Sequence, residues 1–295
     1  MFDGVHLGHQ QIIQKVVAEA QACGGVSLVI TFDAHPSAVV APDRAPALLQ
    51  SLSQRIETLG ALGPEAQWLI HFDRAFSELS GEAFIRQIAE AWGRLRCLCV
   101  GADFAFGHQR SGNVELLRRL GAELGFSVHG LPAVMLGGQP VSSTRIREAV
   151  RAGDFAGADR LLGRPYQFAG PVVAGDQLGR QLGFPTANLD GRGFVVPPNG
   201  VYATEAWWRG TAHPSVTNIG LRPTLREPEP TLHVETHLLD FTGDLYGQEL
   251  GLRFMTRLRA ERQFASLAEL EAQIAQDAAA ARRYFEQLGR GLKIV

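Results

Sequence analysis

Phe2-Asp3-Gly4-Val5-His6-Leu7-Gly8-His9 lies at the start of the chain and runs straight into Ile12, Ile13, Val16, Val17 and Ala20. Apolar residues at that spacing share one face of a helix, so His6 and His9 fall at or just before a helix N-terminus. Free backbone N–H groups and the positive end of the helix dipole make such a start a natural phosphate site. Gly4 and Gly8 let the backbone come close to a ligand, and the histidines can donate to phosphate oxygens as charge shifts onto them. Taken alone, the same residues also describe a surface turn with solvated histidines, or a metal pair carried on a helix.

The rest of the first half supplies the frame for that turn. Val26–Phe32, Ala66–Phe72, Arg96–Val100 and Phe126–Val134 are short apolar runs that read as buried strands. Helical patterns lie between them, from about Ser53 (Ile56, Leu59, Leu62), after the N-cap residue Ser80 (Phe84, Ile85, Ile88, Ala89, Trp92), and around Val114–Leu124. Strand–helix alternation of this kind predicts a doubly wound parallel sheet covered on both faces. Its ligands bind beyond the carboxyl ends of the strands. The loops expected there are Phe2–His9, Asp33-Ala34-His35-Pro36, Gly101–Gly107 and Val141–Arg147. The last opens another helix, which Ser143 and Thr144 can cap while offering hydroxyls to an anion. Arg147, one turn further on, can add charge to the same phosphate. No G-x-x-x-x-G-K-[ST] is present, so a P-loop is excluded.

Composition narrows the possibilities. The chain has 295 residues, 45% hydrophobic and 20% charged, which predicts two domains with separate cores. A net charge of −2 gives no basic field to recommend nucleic acid as a partner. No apolar run approaches the roughly 18–20 residues that span a bilayer, so no membrane partner is expected. The three cysteines, Cys23, Cys97 and Cys99, are too few for a disulfide framework. A soluble protein of a reducing, cytoplasmic compartment is the expectation. Cys97 and Cys99 flank Leu98 and should share a strand face as small buried residues. A metal site there would lack further ligands nearby in the sequence.

FDGVHLGH, TFDAHP, VGADFAFG and VSSTRIR, in that order, resemble the adenylyltransferase domain of bacterial bifunctional riboflavin kinase/FAD synthetases. The resemblance implies that the turn and the Ser-Ser-Thr helix start hold ATP while FMN attacks the α-phosphorus. It assigns His6, Gly8 and His9 to phosphate binding and charge stabilisation, and Ser143, Thr144 and Arg147 to the other side of the phosphates. Asp103 matches a polar position of the nucleotide pocket. Ala34 and Ala105 depart from the family pattern, where proline and a longer polar residue are usual. In the family a central strand precedes the first motif, whereas only Met1 precedes Phe2 here. The expectation is therefore a chain truncated at the N-terminus, whose sheet lacks its first strand and exposes two edges.

Beyond Gly163-Arg164-Pro165-Tyr166, which follows a short helix begun by Asp154, the texture changes to short β-rich runs with closely spaced glycines and prolines. Gln167–Ala174, Gly200–Trp208, Pro214–Ile219, Thr231–Leu239 and Leu250–Arg259 suggest an antiparallel barrel. Ser266 and Glu269 form a capping box for a long terminal helix. Gly175, Gly179 and Gly183 stand four apart ahead of Thr186 and Asn188. The glycines could expose an anion nest. The hydroxyl and amide, two apart in extended chain, are hard oxygen ligands suited to Mg²⁺. As a bare pattern this is equally a glycine-rich turn before an edge strand. On the strand His233-Val234-Glu235-Thr236-His237, alternation puts His233, Glu235 and His237 on one face, as metal ligands or as a solvated stripe.

GRQLGFPTANL resembles the riboflavin kinase signature, which implies that Thr186 and Asn188 bind metal and nucleotide. The resemblance makes Glu235 the base toward the ribityl 5′-hydroxyl and places Asn218-Ile219-Gly220-Leu221-Arg222-Pro223-Thr224 near the flavin. LRAERQFASLAELEAQIAQD matches the closing strand and helix. The resulting expectation is an adenylyltransferase domain over residues 1–165 and a kinase domain over 166–295. They would take riboflavin, FMN and ATP, with Mg²⁺ in both steps. A riboflavin kinase alone, a flavin-binding protein without turnover, and a metal-dependent hydrolase on His233, Glu235 and His237 compete with it.

Overall fold

A computed structural model of the chain describes residues 1–175, 178–222 and 231–291. Asp176 and Gln177, inside the glycine loop, and Pro223 and Thr224, at the end of the Asn218 loop, lie outside the described residues. The chain divides into two compact units. One comprises Met1–Ala47, Leu52–Arg145 and Leu161–Gly163; the other comprises Leu48–Ser51, Ile146–Arg160 and the described residues from Arg164 onward.

In the first unit, α1 (Leu7–Cys23) leads to β1 (Leu28–Phe32), the short α2 (Pro36–Val40), α3 (Leu52–Gly60), β2 (Ala66–Ile70) and the short α4 (Arg74–Ser77). Then come α5 (Gly81–Trp92), β3 (Cys97–Gly101), the two-residue strands β4 (Ala105–Phe106) and β5 (Gly112–Asn113), α6 (Val114–Leu124) and β6 (Ser127–Leu131). A hairpin of β7 (Met135–Leu136) and β8 (Gln139–Pro140) precedes α7 (Ser143–Ala152), of which only Ser143, Thr144 and Arg145 belong to this unit.

Capping residues set the helix starts. Ser80 Oγ accepts from Ala83 N–H at 3.2 Å, and Asn113 Oδ1 accepts from Leu116 N–H at 2.9 Å. The apolar stripes then meet, so that Ile85, Leu117, Leu120 and Phe126 form one buried cluster. Each such side chain contributes about 1.5–3 kcal/mol by leaving water. A second cluster, Val5, Ile13, Val29 and Leu59, ties the glycine turn to α1, β1 and α3.

Parallel pairing is present, as the β-branched runs predict, but it is divided. β1 pairs with β2 from Leu28↔Ala66 to Phe32↔Ile70, and β3 pairs with β6 from Cys97↔Ser127 to Gly101↔Leu131. These are separate two-stranded ladders, and no strand joins them among the described residues.

In the second unit, α8 (Phe155–Leu162) opens at Asp154, whose Oδ1 accepts from Gly157 N–H at 2.8 Å. β9 (Gln167–Val173), α9 (Leu178–Gln181), β10 (Ala187–Asp190), β11 (Gly200–Trp208), β12 (Thr211–Arg222), β13 (Thr231–Leu238) and β14 (Glu249–Arg259) follow, ahead of α10 (Leu267–Gly291). The strands close antiparallel in the order β10-β13-β12-β11-β14-β9. Val234 and Thr236 point into the barrel and are buried, whereas Glu235 on the same strand is only half-buried. The interior carries a hydroxyl ladder in which Thr204 Oγ1 meets Ser215 Oγ at 2.8 Å and Thr217 Oγ1 at 2.7 Å. Thr217 donates onward to Thr236 at 2.9 Å. Each buried hydroxyl is thereby satisfied without water. α10 begins with the predicted capping box: Ser266 Oγ accepts from Glu269 N–H, and the Glu269 carboxylate reaches back to Ala265 N–H, both at 3.2 Å.

Candidate active sites

In the first unit, α1 starts at His6, whose backbone is extended (φ −72°, ψ 172°), and no side chain caps the helix. Its first turn holds no acidic residue, so nothing there opposes an incoming anion. The His6 and His9 rings stack with centroids 3.6 Å apart and planes 18° from parallel. Phe2 meets His9 edge-on at 5.1 Å. Gly8 eases this packing, since a Cβ there would lie 3.2 Å from His6 Cε1 and push the ring by a few tenths of an ångström. Val5, fully buried, holds φ +38°, a conformation that a β-branched residue rarely adopts. Local strain of this kind gathers where backbone must be held for function.

Ser143 approaches the same turn, its Oγ donating to the Asp3 carbonyl at 2.8 Å. The cap of α7 is not Ser143 or Thr144 but Ser142, whose Oγ accepts from Arg145 N–H at 3.3 Å. A helix N-cap must sit just outside the first helical residue, and here that residue is Ser143. Thr144 is exposed in the first turn of α7, whereas Arg147, buried one turn on, falls in the second unit. Asp103 stands exposed in the turn after β3.

At the end of β1, Arg55 was not singled out by sequence patterns, and Asp33 only as part of its loop. Arg55, on α3, is 1% exposed and donates from Nη2 to the Phe32 carbonyl at 2.5 Å and to the Asp33 carbonyl at 3.4 Å. Burial lowers its guanidinium from the usual value, against the pull of Asp3 and Asp33. Asp33 accepts from Phe72 N–H at 3.0 Å, His71 Nδ1 at 2.6 Å and Ala34 N–H at 2.7 Å. These bonds hold its carboxyl at about 2. The TFDAHP loop is thus built around an anionic Asp33, while His35 caps α2 by accepting from Ser37 N–H.

The second unit carries a cavity of about 260 Å³ on the outer face of the barrel, bounded by α10 and by the segment from Leu178 to Asn188. Gly179, Thr186, Asn188 and Glu235 all line it. Asn188 on β10, Glu235 on β13 and Asn218 on β12 are register partners and form one row across three strands. β10, foreseen only as an edge strand after the glycine turn but paired on both sides in the barrel, is what brings Asn188 beside Glu235.

The glycines of the preceding loop have individual reasons. A Cβ on Gly175 would overlap the Asn188 side-chain amide. A Cβ on Gly179 would stand 2.5 Å from the Phe184 carbonyl and 3.3 Å from Thr186 Oγ1. Gly183 takes φ +80°, and its N–H is turned inward to the Arg180 carbonyl. Gly175 and Gly183 do not line the cavity, and the loop contains the short helix α9.

Sequence reasoning missed the support behind the site. Arg259, at the end of β14, donates to both Asp277 oxygens at 2.8–3.0 Å, and Gln273 donates to Asp277 at 2.8 Å. This buried carboxylate ties α10 to the barrel along the cavity wall. Asp277→Asn should lower stability by about 1–2 kcal/mol, short of a fully buried pair because the Arg259 side chain is 20% exposed. Chemical denaturation checks this, and an unchanged midpoint would remove the pair from the account.

The three-ligand reading of His233, Glu235 and His237 does not hold. Their ligand atoms do not gather within metal-binding distance of one another, and His237 Nδ1 is bonded to the Pro185 carbonyl at 2.8 Å. Among the described residues, the metal-binding geometry that does occur lies elsewhere, at Glu19, Cys97 and His129.

Comparison with known proteins decides the family. The FAD synthetase family matches residues 1–145, and the riboflavin kinase family matches residues 162–285. The chain is 40% identical over 285 residues to the bifunctional riboflavin kinase/FMN adenylyltransferase of Escherichia coli K12, covering 96% of this chain and 90% of that protein. It belongs to the bifunctional riboflavin kinase/FMN adenylyltransferase family. Relatives with the same name include those of Pseudomonas fluorescens, 41% identical with 95% and 90% of the two chains covered, and Bacillus subtilis, 36% identical with 97% and 91% covered. A crystal structure described as a macrolide-efflux protein from Streptococcus pneumoniae superimposes with a TM-score of 0.79 at 27% identity, covering 95% of this chain and 91% of that one. Among the described residues of this family member, no helix is long and apolar enough to cross a membrane.

Proposed function

We propose that residues 166–295 phosphorylate riboflavin with ATP to give FMN, and that residues 1–165 adenylylate FMN with a second ATP to give FAD and pyrophosphate. The observation that carries this reading is the single cavity in which Thr186, Asn188 and Glu235 converge, within the half that matches riboflavin kinases. Glu235 takes the proton from the ribityl 5′-hydroxyl, whose oxygen then attacks the γ-phosphorus as ADP leaves. A positioned carboxylate supplies only part of the rate. Orientation and charge stabilisation supply the rest.

The donor set fits Mg²⁺, since a hydroxyl, an amide carbonyl and a carboxylate are all hard oxygen groups facing one cavity. Thr186 and Asn188 would hold the ion, which when bound neutralises charge on the phosphates. Gly175 keeps the Asn188 amide in place by leaving it room. Gly175→Ala should therefore raise the KM for Mg²⁺-ATP in FMN formation by about tenfold or more, about 1.4 kcal/mol. An unaltered KM would sever Asn188 from the metal.

In the other half, an FMN phosphate oxygen attacks the α-phosphorus, and pyrophosphate departs. His6 and His9, at the α1 start, donate to the phosphates as charge builds there. Gly8 gives the rings their room, Thr144 offers an exposed hydroxyl, and Arg147 is the cation the family resemblance assigns to ATP. Ser143 holds the turn through Asp3, and Asp103 is proposed for the nucleoside side. Incubation with riboflavin, ATP and Mg²⁺, with the flavins resolved by chromatography, tests the pair of activities. FMN followed by FAD is the expected course. FMN without FAD would confine the activity to the barrel, and bound flavin with no ATP consumed would refute both.

A further inference from the structure

Away from both sites, Cys97 and Cys99 on β3 share one face, with Sγ atoms 3.6 Å apart. They are half-buried, and the fold brings to them the ligands that are absent nearby in sequence. His129, on the partner strand β6, is the register partner of Cys99. Its Nε2 lies 3.7 Å from Glu19 Oε1 on α1. Ligand atoms of Glu19, Cys97 and His129 all stand within 4.8 Å of one another. Tetrahedral zinc, with Zn–S of about 2.3 Å and Zn–N or Zn–O of about 2.0–2.1 Å, sets neighbouring ligand atoms about 3.3–3.8 Å apart.

We propose that Cys97, Cys99, His129 and Glu19 form a site for a thiophilic divalent metal ion of the zinc class, joining α1 to β3 and β6. Thiolate and imidazole select such an ion over Mg²⁺, which prefers an all-oxygen shell. A disulfide is the poorer alternative. Same-face strand neighbours lie about 6.6 Å apart at Cα, near the limit a disulfide spans. Because the ligating form of cysteine is the thiolate, binding the ion releases thiol protons. The Lys15 ammonium, 2.5 Å from Glu19 Oε1, competes with a cation for that carboxylate. Because α1 begins at His6 and His9, an ion at this point would fix the helix that carries them.

The test uses the full chain, reduced, stripped with a chelator and titrated with Zn²⁺ alone against a chromophoric competitor. One Zn²⁺ per chain is expected, retained in excess Mg²⁺. Cys97→Ser/Cys99→Ser should weaken it by at least about a hundredfold, and Lys15→Met should tighten it by freeing Glu19. Co²⁺ in its place should show the intense visible bands and thiolate charge transfer of a tetrahedral site. Far-UV circular dichroism and an unfolding transition of the metal-free serine variant that match those of the metal-free wild type show that its first unit folds. Absence of stoichiometric Zn²⁺, equal binding by the serine variant, or a weak octahedral Co²⁺ spectrum would overturn the proposal.

Discussion

Glu235→Gln should lower FMN formation by about 10²–10⁴-fold, the range a positioned general base supplies. Glutamine keeps the size and hydrogen-bonding reach of the residue but cannot accept the hydroxyl proton. The expectation is specific because Glu235 stands between Asn188 and Asn218 in one cross-strand row. Buried Val234 and Thr236 on either side anchor the strand, so the row keeps its place after the substitution. The loss should therefore fall on kcat, with nucleotide binding close to wild type. Steady-state rates with equilibrium nucleotide titration separate the two. A kcat within about threefold of wild type would remove Glu235 as the base.

His9→Ala should lower FAD formation from supplied FMN by about 10²–10³-fold, the cost of losing one preorganised donor at a site of developing charge. Its ring lies against His6 on one side and Phe2 on the other, so the loss also frees His6 to leave its present orientation. FMN formation should be unaffected, because the Glu235 cavity is lined wholly by residues from Leu178 onward. His9→Asn, which restores a donor, should recover part of the rate. Equal loss of both products would mean that the two activities are not independent or that His9 is misassigned.

What the sequence conveyed was mostly periodic. The parallel strands, the Ser80 cap, the barrel texture and the Ser266–Glu269 box all rest on patterns within a few residues, and each has its counterpart in the fold. What it did not convey depends on contact between distant segments. β10 is four residues long, too short to stand out beside a glycine loop, yet it delivers Asn188 to Glu235. Asp277 reads as one charge on an amphipathic helix until Arg259, eighteen residues earlier, is seen to meet it. Arg55 falls inside an apolar helix pattern, and nothing local announces that it caps the end of β1. The cysteine pair looked bare of ligands because His129 and Glu19 come from other elements. The α7 cap was misread by one residue because three hydroxyl residues, Ser142, Ser143 and Thr144, stand in a row and only geometry chooses among them.

The most direct measurement follows the phosphorus of ATP. Riboflavin and Mg²⁺ are supplied with ATP labelled either at the γ- or at the α-phosphorus, and label is read in each flavin over time. The γ label should enter FMN first and then appear in FAD, whereas the α label should enter FAD alone. An α label found in no flavin would contradict the adenylyl transfer assigned to the His6–His9 helix start, and FMN without γ label would contradict the kinase assigned to the Glu235 cavity.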